Sequence, residues 1–439
     1  MKKLVKFITI ASSILFISCD NSKNMIENDV FKFPEGFLWG TSTAAYQIEG
    51  GIKNDWSTNG LDAGVSADSF NKYKEDIKKI KFLNNNAYRF SLEWSRIEPE
   101  KGKFDLNAIQ YYKNILKELK TNNIKPMVTL HHFTNPVWVA KNGGWENPKT
   151  IDDFTDFVKY IVNELKDDIE IWITVNEPNV YAFKAYDAGE FPPYKKNRES
   201  ALKVMGNLLK AHAQAYKAIH EIDKNSKVGF AQHIAILEPY FKLNPIDNIF
   251  VYFQNKVFNL SFWDSILTGE INISIPGING VNEKYDILKN SMDFIGLNYY
   301  TRWYVNSSGE QLIDKKSDLT DIGWEIYPRG ISKSLEMADK YAKKLNIPIY
   351  ITENGIDDSS DSKRRKYIIS HTFEVWKSIQ KGIDIKSYMY WSLMDNFEWA
   401  EKYKPKFGLY TIDRRIRDSA LIYKEISQNN GIKKDYVLP

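Results

Sequence analysis

One feature of this chain constrains its fold more than any other: a rhythm of eight short apolar runs. They are "FLWGTSTAAY" (37–46), "NAYRFSLEW" (86–94), "KPMVTLHHF" (125–133), "EIWITVNEP" (170–178), "KVGFAQHI" (227–234), "DFIGLNYY" (293–300), "PIYITENG" (348–355) and "SYMYWSLMDNFEW" (387–399). Each is rich in β-branched and aromatic residues and reads as a buried strand. Longer Lys/Glu-rich stretches lie between them, among them "SFNKYKEDIKKIKFL" (69–83), with Tyr73, Ile77 and Ile80 on one face. The stretches 107–122, 152–166 and 331–345 repeat that helical pattern. Strands alternating with helices predict parallel pairing through helical crossovers. Eight such units in residues 31–439, with no Pro/Gly/Ser linker, predict a single closed (β/α)₈ TIM barrel. An open doubly wound sheet would carry a glycine-rich phosphate loop after its first strand, and "YQIEGGIKNDW" lacks that spacing.

The ends of these runs are polar. The second carries Arg89 and ends near Glu93, and the third ends His131-His132-Phe133. The fourth ends Asn176-Glu177, the sixth Asn298-Tyr299-Tyr300 and the seventh Glu353-Asn354. The eighth passes Trp391 to Glu398-Trp399. In a barrel all C-terminal strand ends meet at one face, where active sites sit. Two carboxylates among amides and tryptophans suit glycoside hydrolysis, in which one protonates the leaving oxygen and the other handles the sugar carbon. Such a pair needs environments that separate its two pKa values. Arg89 is the candidate to keep Glu353 ionised, and Glu177, after an apolar strand, the candidate acid.

These stretches, with "FPEGFLWGTSTAAYQIEGG", "YRFSLEWSRIEP", "GWEIYPRG" and "YWSLMDNFEWAEKYKPKFGLYTID", resemble glycoside hydrolase family 1, the β-glucosidase-like barrel enzymes, from about Phe33 to about Asp418. The resemblance implies a retaining exo-β-glycosidase that removes a terminal, non-phosphorylated sugar without a cofactor or metal. It implies Glu177 as acid/base and Glu353 as nucleophile, supported by Arg89. Gln47, His132, Asn176, Glu398 and Trp399 match residues that bind the innermost sugar, with Trp391 beneath it. Asn298 and Tyr300 match residues near the nucleophile, and Trp324 one at the entrance. A retaining pair stands roughly 5–5.5 Å apart. The substrate implied is a small oligosaccharide or β-glycoside, with glucose, galactose, fucose and mannose all open. Three positions depart from the pattern: Phe133 where Trp is common, a short segment after Gly51, and Lys402 where Gly is common.

Other readings are weaker. A strand-end Glu can cap a helix or pair with an Arg, but two such motifs together with Gln47 and "NFEW" favour chemistry. His131 and His132 are neighbours on a strand and point to opposite faces, so they do not chelate one ion. His212 and His371 lie on helical patterns and read as packing or surface residues. A glycan-binding lipoprotein would be expected to lack one glutamate. A 6-phospho-β-glycosidase would replace Glu398 with a small residue and add cations. A transglycosylase would use the same residues. Lys+Arg 60 against Asp+Glu 56 gives no argument for nucleic acid.

The first residues read as a leader. Lys2, Lys3 and Lys6 precede an apolar run, Phe7 to Ile17, too short to span a membrane. "LFISC" resembles a bacterial lipobox, which implies cleavage after residue 18, lipidation of Cys19 and a tether over 19–30. The expectation is export and attachment to a bacterial membrane by the lipid alone. Oligomeric state has no signature in the sequence.

Overall fold

A computed structural model describes residues 29–437; the expected leader and Cys19 lie outside the described residues. Eight parallel strands close into a barrel: β1 (Leu38–Ser42), β2 (Ala87–Ser91), β3 (Lys125–His131), β4 (Ile171–Asn176), β5 (Lys227–Pro239), β6 (Ile295–Val305), β7 (Ile349–Asn354) and β8 (Ile385–Trp391). Each pairs with the next, and β8 returns to β1, with Tyr388 opposite Trp39 and Trp391 opposite Ser42. The helices that follow are α1 (Ser69–Phe82), α2 (Leu106–Thr121), α3 (Lys149–Leu165), α4 (Arg198–Ile222), α5 (Ser261–Thr268), α6 (Pro328–Leu345), α7 (Arg364–Gln380) and α8 (Asp418–Asn429). The predicted (β/α)₈ barrel is therefore the observed fold, with all eight apolar runs on its strands.

The helices form where the pattern requires them. α3 buries Ile151, Phe154, Val158, Ile161, Val162 and Leu165, a stripe at helical spacing. Asp105 caps α2 by accepting from the amides of Asn107 and Ala108. The interior of the barrel is plugged at its lower end by Ala87, Met127, Ile171, Ile173, Ala231, Phe294, Tyr350 and Met389. That layer is apolar and filled, so a cavity can open only at the C-terminal end.

Three features depart from the sequence reading. The first and eighth runs stop early, at Ser42 and Trp391, and the chain then turns. Between β5 and β6 the chain inserts a helix at Pro245–Gln254, a π-helical turn at Asn255–Leu260 and a hairpin of Glu270–Ile275 with Ile278–Lys284. The rhythm does not reveal them because they add to the barrel period rather than form part of it. Val30, the last residue of the expected tether, opens a strand, Val30–Lys32, paired antiparallel with Gly431–Lys433. This strand sits at the end of the barrel opposite the mouth, beside the C-terminus of α8. Among the described residues no helix is long and apolar enough to cross a membrane.

Candidate active site

A cavity of about 1200 Å³ opens at the C-terminal ends of the strands. Glu177, Glu353, His132, Asn176, Tyr300, Trp324, Trp391, Glu398 and Trp399 all line it. Arg89, Asn298 and Gln47 lie behind that lining, fully buried. All twelve predicted site residues in the described part of the chain are thus brought to one place. Cys19 lies outside the described residues.

Glu353 ends β7. Arg89 on β2 reaches across the barrel, and its Nη1 donates to Glu353 Oε1 at 2.5 Å. The same guanidinium donates through Nη2 to Asn176 Oδ1 at 2.6 Å and through Nε to Thr129 Oγ1 at 3.2 Å. Tyr300 on β6 donates its hydroxyl to Glu353 Oε2 at 2.7 Å. Both Glu353 oxygens are therefore held. The glycine after the Glu-Asn pair has a steric cause: a Cβ at Gly355 would lie 1.7 Å from the Trp391 carbonyl oxygen.

Glu177 sits just past β4, with its backbone in the left-handed region (φ 42°, ψ 57°). This is where the apolar strand breaks and Pro178 begins a short helix. The amide of Glu177 donates to the Ala231 carbonyl at 2.7 Å, which holds the turn. Its Oε1 accepts from Asn298 Nδ2 at 2.8 Å and lies 3.0 Å from His233 Nδ1. Phe133 and Trp399, also lining the cavity, have φ of 69° and 53°. A non-glycine residue held there costs about 1–2 kcal/mol, strain that concentrates at working sites.

A continuous polar chain links the two carboxyls. Glu177 bonds Asn298, Asn298 Nδ2 also donates to Asn176 Oδ1 at 3.2 Å, and Asn176 bonds Arg89, which bonds Glu353. Thr352 Oγ1 donates to Asn298 Oδ1 at 2.6 Å, so the Asn298 amide is satisfied at both ends. A third carboxyl, Glu398, accepts from Trp391 Nε1 at 3.2 Å and Gln47 Nε2 at 3.3 Å. Gln47 Nε2 also donates to the Phe397 carbonyl, while Gln47 Oε1 is buried without a partner among the described residues. His132 lies nearly parallel to Trp391 and Trp399, at 24° and 17°.

Burial dominates the electrostatics. It pushes the Glu353 carboxyl above its usual range; Arg89 and Tyr300 pull it down, and Glu177 adds to the rise. Arg89 thus opposes the rise, but burial outweighs it. Burial also pushes Glu398 up to about 8, against its bond from Trp391. It drives His132 well below its usual value, with Arg89 adding to the fall, so that ring is neutral.

Strand alternation sorts the remaining residues. His131 turns away from His132, toward Asn135 and Trp145. Asn354 faces away from Glu353 and bonds the Tyr299 carbonyl and the Tyr367 hydroxyl. Glu93 is buried against Ser95 and Thr134 and does not line the cavity, so it is a structural carboxyl. His212 and His371 are buried packing residues. The sequence reading missed His233: it ends the fifth apolar run, in the same position as the site residues of other strands, and that placement was the signal available.

A closed barrel whose mouth holds two linked, buried carboxyls among aromatic rings is the architecture of a barrel glycoside hydrolase. Residues 30–432 match the sequence profile of glycosyl hydrolase family 1. The chain is 34% identical to a 1,4-beta-D-glucan glucohydrolase of Thermotoga neapolitana, covering 91% of this chain and 99% of that protein. Its structure is similar to a beta-glycosidase from Pyrococcus horikoshii, with TM-score 0.85, 36% identity and coverage of 93% and 99%. It is equally similar to the family 1 β-glucosidase from Thermotoga maritima, with TM-score 0.85, 32% identity and coverage of 92% and 100%. The chain belongs to glycosyl hydrolase family 1 and is a glycoside hydrolase.

Proposed function

We propose that the protein is a retaining exo-β-glycosidase in which Glu353 attacks the anomeric carbon and Glu177 serves as acid and then base. The observation that carries this assignment is the asymmetry of the two carboxyls. Glu353 has Arg89 and Tyr300 on its two oxygens, which stabilises a carboxylate poised to attack. Among the described residues Glu177 has no Arg or Lys partner; it meets Asn298 and His233, which suits a group that must hold and return a proton. In the first step the Glu177 proton goes to the leaving oxygen as Glu353 bonds the sugar carbon. In the second, Glu177 takes a proton from water, which attacks that carbon and frees Glu353.

Glu398, Gln47, His132 and Asn176 form the sugar-binding end, and the unpaired Gln47 Oε1 is an acceptor suited to a sugar hydroxyl. Trp391 and Trp399 supply ring faces beside it. Trp324, 5.7 Å from Tyr300 between ring centroids, stands on the leaving-group side. This inner end presents carboxyls where a phosphate requires cations, which favours a non-phosphorylated sugar. The relatives named as β-glucosidases support a glucose-like glycone. The reading is tested by cleaving an activated 2-fluoro-β-glycoside and mapping the adduct. A stable mass gain on the peptide holding Glu353, with retained anomeric configuration of ordinary products, is expected; inversion, or label on Glu177, would overturn the roles.

We also propose export and lipidation of Cys19, with residues 1–18 removed and a tether that ends at residue 29, one short of the expected 30, because Val30 already pairs with Lys433 in the catalytic domain. The lipobox-like "LFISC" supports this. So does the position of Val30 at the barrel end away from the mouth, which leaves the cavity clear of a tether. Mass spectrometry of the native protein checks it: an N-terminus at Met1 or an unmodified Cys19 contradicts it.

A further inference from the structure

Past Glu177 the cavity is walled by segments that follow β4, β5 and β6. Phe183 comes from the turn after β4, and Phe250, Phe253, Val257 and Phe258 from the inserted helix and π-turn after β5. Ile275 and Pro276 at the hairpin tip continue the wall, and Ile322 and Trp324 face it from the β6–α6 connection. The wall begins at the reaction centre itself. Phe258 lies 6.0 Å from the His233 ring, which touches Glu177, and 5.8 Å from Phe183.

The wall is held in place. Gln254 Nε2 donates to the Gly309 carbonyl at 2.7 Å, and Gln311 donates to Gln254 Oε1 at 3.0 Å, so the turn after β6 clamps the inserted helix. Gly309 fits against Phe250 only because it lacks a side chain: its φ is +80° and a Cβ would lie 2.9 Å from the ring. Beside this wall the charged groups are spent on partners, while Glu401 and Lys404, just after Trp399, line the cavity without an ion pair among the described residues. Lys184 pairs with Glu190, Arg198 with Asp187 at 3.0 Å, and Asp321 bonds Ser359. The same helix and the turn before it carry further exposed apolar side chains, Phe241, Leu243, Ile246, Ile249 and Tyr252, of which Ile249 lines the cavity.

A sugar in this position would exchange water for partners that are absent or already engaged, which is costly. An apolar group would gain from every methylene buried. The cavity also exceeds the roughly 300–1,000 Å³ that suffices for a drug-sized ligand, so it holds more than one sugar ring. We propose that this outer chamber binds a hydrophobic aglycone, an extended alkyl or fused aromatic group, in preference to a second sugar. The inference rests on the β-glycosidase reading above.

The test uses the full chain and one glycone, chosen as the fastest among nitrophenyl β-glycosides. kcat/KM is compared across its methyl, butyl, hexyl and octyl glycosides and the matching β-linked disaccharide. The expected result is a rise with chain length, up to about fourfold per fully buried methylene, and octyl above the disaccharide. In a Phe250→Gln/Phe253→Gln variant the octyl glycoside should lose about tenfold or more, well beyond the loss on the methyl glycoside. A flat series, a preferred disaccharide, or equal losses across the series would overturn the proposal. The series on the unaltered protein decides the matter even where the variant folds poorly. If no glycone yields any cleavage, the β-glycosidase reading itself falls; if cleavage occurs without dependence on chain length, only the chamber's assignment falls.

Discussion

At the inner end of the cavity nearly every polar side chain is tied to another, from Glu177 through Asn298, Asn176 and Arg89 to Glu353, and from Gln47 to Glu398. At the outer end the lining on one side is carried by Phe183, Phe250, Phe253 and Phe258, and the charges beside it pair with each other, Lys184 with Glu190 and Arg198 with Asp187. Most inner groups come from strand ends, whose positions the barrel sets to within a narrow tolerance, and Gln47 and Glu398 from the turns just beyond two of those ends. The outer ones come from inserted loops. In the proposed reading, reaction chemistry belongs to the scaffold and leaving-group preference to the loops that decorate it.

The largest effect that would break this comparison is at Glu353. Under the proposed roles Glu353→Gln removes the attacking atom, and turnover should fall on the order of 10⁵-fold for every aglycone. Glu177→Gln should instead show dependence on the leaving group: about 10²–10⁴-fold loss with poor ones and little loss of the first step with activated phenols. Azide should rescue Glu177→Ala to a β-linked product and Glu353→Gly to an α-linked one. Equal losses on all leaving groups, or one anomer from both variants, would place the division of labour elsewhere.

Arg89 sharpens the inner end further. Arg89→Met removes the cation that opposes burial at Glu353 and also strips a donor from Asn176. The acidic limb of the kcat/KM–pH profile should move to higher pH by a unit or more, with a large fall in maximal rate. An unmoved limb would mean that Arg89 only packs.

A smaller effect is expected in stability. Burial raises Glu398 to about 8, and Glu49 and Asp55 to about 7. Unfolded Glu and Asp titrate near 4.3 and 3.9, so between those values and about 7–8 the folded chain binds more protons. Stability is then full below about pH 4 from this cause and is lost as pH rises to about 8. The melting temperature should fall from pH 5 to pH 8, and Glu398→Gln should flatten that slope. Phe253→Gln, on the outer side, should leave the slope unchanged.

The smallest effect concerns Lys402, next to the turn that carries Glu398 and Trp399. Its backbone has φ 54° and ψ −127°, a combination open mainly to glycine. Lys402→Gly should stabilise by about 1 kcal/mol after the greater freedom of glycine in the unfolded chain is counted. A loss of melting temperature would show that the lysine side chain contributes more than its backbone costs.

Much of this was legible before any coordinates. The eight runs named the strands because a strand buried on both faces must be apolar throughout, and their polar ends marked the mouth. The insertion after β5 was not legible, because an amphipathic helix and a hairpin there look like any crossover. Nor was the structural role of Glu93: it ends its run as Glu353 does, yet turns to Ser95 and Thr134.

By itself the sequence determined the barrel and the set of polar residues at its mouth, since period and composition are local properties. The resemblance had named His132, Glu353 and Tyr300, but the physical reason why they and not His131, Asn354 and Tyr299 enter the cavity came only with the tertiary structure. A strand fixes that neighbours oppose each other, while the closure of the sheet fixes which face is inside. The same holds for His233 beside Glu177 and for the aromatic wall beyond it. Those contacts join separate strands and loops, and their chemistry exists only once the barrel has closed.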